Sequence, residues 1–146
     1  MSHARTSLAD LGDGVFRKVR RELGITAFGA NAMVLPPGTG WFRHFHDLQD
    51  ELYFVHRGRA VFEVGGERFE LGEGGLCHAE AHTPRWFGNA GDTDLVLLVI
   101  GAHDGYAGRD GHMVDPADEE RRRAVAEGGP LPPLTARPGR HPDRPR

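Results

Sequence analysis

Between Thr26 and Ile100 the chain sets short runs of β-branched, aliphatic and aromatic residues between Gly, Pro and Asp punctuation, at intervals of eight to ten residues. That spacing is what antiparallel strands joined by tight turns require. It predicts strands at Ala30–Leu35, Trp41–Phe45, Glu51–His56, Arg59–Val64, Glu67–Leu71, Gly75–Ala79, Arg85–Asn89 and Leu95–Ile100. Arg57-Gly58 and Gly65-Gly66 read as tight turns, and the second pair suits a two-residue hairpin, because primed turns need positive φ and glycine tolerates it. Strands this short bury their apolar faces only by closing on themselves or by stacking. The fold class that follows is all-β, a small barrel or jelly roll. No segment repeats internally.

The flanks break the pattern. Val15, Val19 and Leu23 recur at helical spacing ahead of Gly24, so a short helix is expected within Gly14–Leu23. Past Ile100 the alternation stops. Asp115-Pro116-Ala117-Asp118-Glu119-Glu120 supplies a capping residue, a proline and first-turn acids, with Arg121 to Arg123 following, which predicts a helix over Pro116–Glu127. Beyond Gly128 the Pro- and Arg-rich sequence has too few apolar residues to build a core and is expected to be a disordered tail. The domain organisation that follows is an N-terminal extension over 1–25, a β-barrel over 26–101, a C-terminal extension with a short helix over 102–128, and the tail over 129–146.

Composition narrows the function. At 146 residues and 38% hydrophobic content the chain accommodates one domain with a real core. The formal net charge of −3 gives no global reason to expect nucleic acid or an anionic membrane as partner. The arginines from Arg121 onward have neither the aromatic interleaving nor the helix-turn-helix or zinc-finger spacing of a nucleic-acid site. Cys77 is the lone cysteine, so no internal disulfide forms, and Met1 to Val15 lacks the continuous apolar run of a signal peptide. No stretch approaches the roughly 20 apolar residues of a membrane helix. A cytoplasmic protein is the expectation, and the preference for Arg over the single Lys18 fits a GC-rich bacterial genome.

The candidate chemistry lies in Gly38–Gly58. His44 and His46 share one face of a strand, with Phe45 pointing oppositely. Asp47 to Asp50 is polar enough to form a bend, after which Glu51 opens the next strand and can return to the imidazoles. Two imidazoles and a carboxylate are a donor set that first-row divalent metals favour, so His44, His46 and Glu51 are the candidate metal ligands.

The run Gly38, five residues, His44-Phe45-His46, four residues, Glu51, six residues, Gly58 resembles the first cupin motif at every marked position. Gly74 to Asn89 resembles the second motif in length and in Pro84, but Glu80 and His82 stand where the family has Pro and Gly. Arg85 stands where it has a histidine ligand. The resemblance covers roughly Ala30 to Gly101. It implies a double-stranded β-helix barrel holding iron, manganese, nickel, zinc or copper, and a function among dioxygenases, isomerases, epimerases, decarboxylases, storage proteins and sugar sensors.

Arg85 decides between two readings. Guanidinium has no lone pair to offer a metal. Either His44, His46 and Glu51 hold a metal alone and Arg85 clamps an anionic substrate, or no metal binds and Arg85 pairs with Glu51. His82 is a candidate substitute ligand, against the ordinary reading of an exposed turn histidine. His78 and His56 read as surface or half-buried strand residues. Tyr53 shares strand parity with Glu51, as Phe87 and Asn89 do with Arg85, so these side chains are expected to line one cavity. Tyr53 is read either as barrel packing or, with Arg85, as a catalytic group. Cys77 reads as a small buried hydrophobe. The leading expectation is a metal-dependent enzyme for a small anionic or oxygenated metabolite, the alternative a metal-free binding cupin. A homodimer is expected through an outer sheet face carrying Leu95 to Ile100.

Overall fold

A computed structural model describes residues 2–134. Two five-stranded antiparallel sheets enclose the core. The strands are β1 (Phe16–Arg17), β2 (Gly29–Leu35), β3 (His44–His46), β4 (Asp50–Arg57), β5 (Ala60–Val64), β6 (Glu67–Leu71), β7 (Leu76–Ala79), β8 (Arg85–Asn89), β9 (Leu95–Ala102) and β10 (Gly111–Met113). The first sheet runs β1-β2-β9-β4-β7 and the second β10-β3-β8-β5-β6, so the chain crosses repeatedly between layers as a jelly roll does. Helices α1 (Val19–Leu23) and α2 (Asp118–Ala126) flank the barrel. Among the described residues no helix is long and apolar enough to cross a membrane.

Alternation sets which faces are buried. In β9, Leu95, Leu97 and Val99 enter the core while Val96, Leu98 and Ile100 stay half-buried on the other face. In β4, Glu51, Tyr53 and Val55 point inward. The interior is filled by Met33, Leu35, Phe62, Phe87 and their neighbours. Tyr53 lies 5.6 Å from the Phe62 ring and 5.5 Å from Phe87, distances at which aromatic pairs attract beyond their buried area. Gly65 and Gly66 both adopt positive φ, 59° and 88°, in the β5–β6 hairpin. At Gly58, with φ at 82°, a Cβ would come within 2.8 Å of the Asp94 carbonyl oxygen, so that turn requires glycine twice over.

Three departures from the sequence expectation have physical causes. The strand expected at Trp41–Phe45 is ordered only from His44 to His46. Trp41 and Phe42, though consecutive, pack edge to face on each other and both enter the one core cluster instead of opposite faces, so the segment does not alternate as a paired strand does. The N-terminal helix is confined to Val19–Leu23 because Phe16 and Arg17 pair instead with Met33 and Ala32, and Gly24 closes the helix in the left-handed conformation. Of the segment expected as tail, Gly129–Leu134 runs along the barrel, the Gly40 N–H donating to the Pro132 carbonyl and Leu134 N–H to Gly38. The remainder of that segment lies outside the described residues.

Candidate metal centre

Strand parity builds the site. His44 and His46 both face inward from β3, and Glu51 faces them from the start of β4. Each of the three offers one ligand atom, and these atoms lie within 4.8 Å of one another. Glu51 Oε1 stands 3.0 Å from His46 Nε2 and 3.5 Å from His44 Nε2. The sequence-predicted trio is therefore brought together and buried.

The far nitrogen of each ring is anchored. His44 Nδ1 lies 2.9 Å from the Phe42 carbonyl oxygen, and His46 Nδ1 lies 2.8 Å from Asp110 Oδ1. A carbonyl and an ionised carboxylate only accept, so each neutral ring carries its proton on Nδ1 and turns the Nε2 lone pair toward Glu51. His46 Nε2 is buried and makes no aligned hydrogen bond. Three acceptors thus converge on one point, an arrangement that calls for a cation between them. A divalent ion satisfies it, and rings braced through their second nitrogen are how proteins hold such ions. The donor set fits a metal.

Arg85 lies beside His44 on the same sheet, in register with it across β3 and β8, and faces Glu51 on the other sheet. Its Nη1 donates to Glu51 Oε1 at 3.2 Å, and its Nη2 donates to the Glu80 and Ala81 carbonyls. The guanidinium is fully enclosed, so it meets Glu51 directly and any ligand only through a rearrangement. The Tyr53 ring packs in the core, and its hydroxyl donates to Glu51 Oε1 at 2.7 Å. Phe87 is also in the core, whereas Asn89 serves the far end of β8, its amide donating to the Leu35 and Thr93 carbonyls.

Protonation follows these contacts. Burial alone would raise the Glu51 carboxyl, but the His44 and His46 rings beside it, which any proton they take up makes cationic, outweigh it and hold the group well below its ordinary value. Burial would lower His46, yet Glu51 and then Asp110 outweigh it and raise the ring above 6.5. Tyr53 is raised well above 10.0 by burial and by the Glu51 charge, so its hydroxyl stays a donor.

His82 is exposed in the turn before β8 and stands outside the cluster, as do the exposed His56 and His78, the latter 3.1 Å from Asp50. Cys77 is half-buried and burial raises its thiol. Sequence reasoning missed Asp110 and Gln49. Asp110 accepts from His46, from the Leu48 and Gln49 backbone N–H groups at 2.8 and 2.9 Å, and from the Gln49 side chain. Burial opposes its ionisation, but the Gln49 hydrogen bonds and then His46 and Leu48 hold its carboxyl well below the ordinary range. The one local signal was a pair of polar residues between glycines, Gly108-Arg109-Asp110-Gly111, which reads as a turn.

Comparison with known proteins agrees with this architecture. Residues 31–101 match the cupin domain family. An oxalate-binding protein of Thermotoga maritima is 31% identical over 68 residues, which cover 47% of this chain and 56% of that protein. The chain spans about half the length of the curated relatives it matches. Among solved structures, a cupin protein from Bacteroides fragilis superposes with a TM-score of 0.63 at 23% identity, covering 75% of this chain and 88% of that one. A sugar phosphate isomerase of the cupin superfamily from Silicibacter pomeroyi gives 0.61 at 22%, covering 68% and 76%. The segment from residue 31 to 101 is a cupin domain.

Proposed function

We propose that the protein is a small metal-dependent cupin acting on a small anionic metabolite of the carboxylate class. The observation that carries this reading is the convergence of His44 Nε2, His46 Nε2 and Glu51 Oε1, three acceptors whose rings are braced from behind. Those residues would hold the ion, and a divalent metal bound there would supply Lewis acidity. Charge selects the substrate class. A divalent ion beside Glu51 and Asp110, with Arg85 replacing a neutral imidazole, leaves the pocket net positive, so an anion is the complementary ligand. The oxalate-binding relative supports the same class. Arg85 holds Glu51 in place and Tyr53 shares that task through its hydroxyl.

Elemental analysis of protein purified without chelator or polyhistidine tag tests the reading. About one metal per chain is expected, lost in His46→Ala. A chain that takes up no metal after reconstitution overturns it.

One contact favours a second reading, a metal-free binding cupin: the enclosed Arg85 guanidinium already neutralises Glu51. Protonated His46 would then supply the cation between the acceptors. Under this reading Arg85→His gains a metal that the parent lacks; under the first, the parent is already loaded. In either case two copies pair through the outer face of the first sheet, a proposal supported by the apolar rows on that face.

A further inference from the structure

Asp110 lies outside the segment that matches the cupin family, yet it makes the closest contact to a candidate ligand ring from behind. The strand that brings it there is β10, whose Gly111, His112 and Met113 pair with His46, Phe45 and His44. Gly111 leaves the room: a Cβ there would come 3.2 Å from His46 Cε1. One carboxylate oxygen faces His46 Nδ1, and the other accepts from the backbone N–H groups of Leu48 and Gln49 in the bend that links the two histidines to Glu51. The Asp110 carbonyl accepts from Asp47 N–H, and the Gln49 side chain reaches back to Gly108. A single buried residue therefore ties ring orientation to the bend that delivers the carboxylate.

We propose that Asp110 is a positioning residue, supplied from beyond the matched domain, that locks His46 in the tautomer whose Nε2 lone pair faces Glu51. Its metal-affinity consequence rests on the reading of the site as a metal centre; its effect on the tautomer does not. Asp110→Asn separates the two. Asparagine offers one acceptor oxygen, and the two backbone N–H groups of the bend claim it. The amide N–H₂ then takes the place of the oxygen that now accepts from both His46 Nδ1 and the Gln49 side chain, so the Gln49 amide turns its oxygen toward it, His46 Nδ1 has to accept, and the ring proton moves to Nε2.

The first readout is the tautomer, from the imidazole ¹⁵N shifts of His46 in metal-free protein at alkaline pH. Wild type is expected with the proton on Nδ1 and Asp110→Asn with it on Nε2. The second is Co(II) affinity by optical titration, expected to weaken by about 10–100-fold in Asp110→Asn, the range typical of lost outer-shell partners. Asp47→Asn, which disturbs only the exposed pair of Asp47 with His112, is expected to match wild type in both. A wild-type ring protonated on Nε2 overturns the proposal without any variant, as does a folded Asp110→Asn that keeps the wild-type tautomer and affinity. A wild type that ignores Co(II) while the variant still switches tautomer supports the positioning role and refutes the metal centre.

Discussion

Glu51 Oε1 is approached by the Tyr53 hydroxyl, Arg85 Nη1, His46 Nε2 and His44 Nε2 at once. Glu51→Gln removes the charge but keeps the shape, leaving an enclosed guanidinium without its counter-ion. Breaking a buried pair from one side typically costs about 3–5 kcal/mol, and urea unfolding of the metal-free variant should show a loss of that order. A loss below about 1 kcal/mol, the scale of an exposed pair, would mean that Arg85 is held by the Glu80 and Ala81 carbonyls alone. The same contacts set a pH profile. Glu51 and Asp110 are held below their ordinary values of 4.5 and 3.8, so their stabilisation is present above those values and is lost as pH falls below them. His46 is raised above 6.5, so its contribution to the metal-free protein is complete below 6.5 and fades as pH rises through the raised value. Unfolding measured against pH should show a maximum between these limbs. Persistence of the alkaline limb in His46→Ala would assign it to another group.

At the scale of the element, what was legible in the sequence followed from local period. Strands β4 to β9 carry alternation or glycine turns strong enough to place them, and parity within β3 and β4 put His44, His46 and Glu51 on one interior. Two kinds of element escaped. Strand β1 has two residues and β10 three, too few for any period to register, and each exists because a longer strand offers it a partner. Residues where two elements cross also escaped. Trp41 and Phe42 looked like strand because both are apolar, but only tertiary packing shows that both turn inward. Asp110 is separated from His46 by 64 positions, and nothing in its neighbours points to an imidazole. The ligands were readable because they lie within one motif. The support of His46 was not, because it arrives by strand pairing across the sheet, whereas His44 rests on the carbonyl of Phe42 two residues away.

For the whole molecule the consequential surface is the outer face of the first sheet. Since Leu97 and Val99 fill the core, their neighbours Leu98 and Ile100 face outward, and cross-strand partners share that face. Register then aligns Leu76, Phe54, Leu98 and Ala32 in one row, and His78, Leu52, Ile100 and Ala30 in the next. Leu76 is 62% exposed and Leu52 39%, whereas Ala30 and Ala32 at the β2 end of the rows are buried, so the open apolar area lies over β7, β4 and β9. A second copy related by two-fold symmetry offers the same apolar surface in return, and a stable pair needs about 800 Å² from each partner, which this three-strand face together with its rim can provide. Light scattering at micromolar concentration should therefore report a dimer. Leu98→Glu sets a charge at the middle of the first row without touching the barrel interior, so it should yield a monomer whose far-ultraviolet circular dichroism matches wild type. A wild type that is monomeric under those conditions would leave these rows without a role in self-association, while a variant that stays dimeric would move the interface to another face.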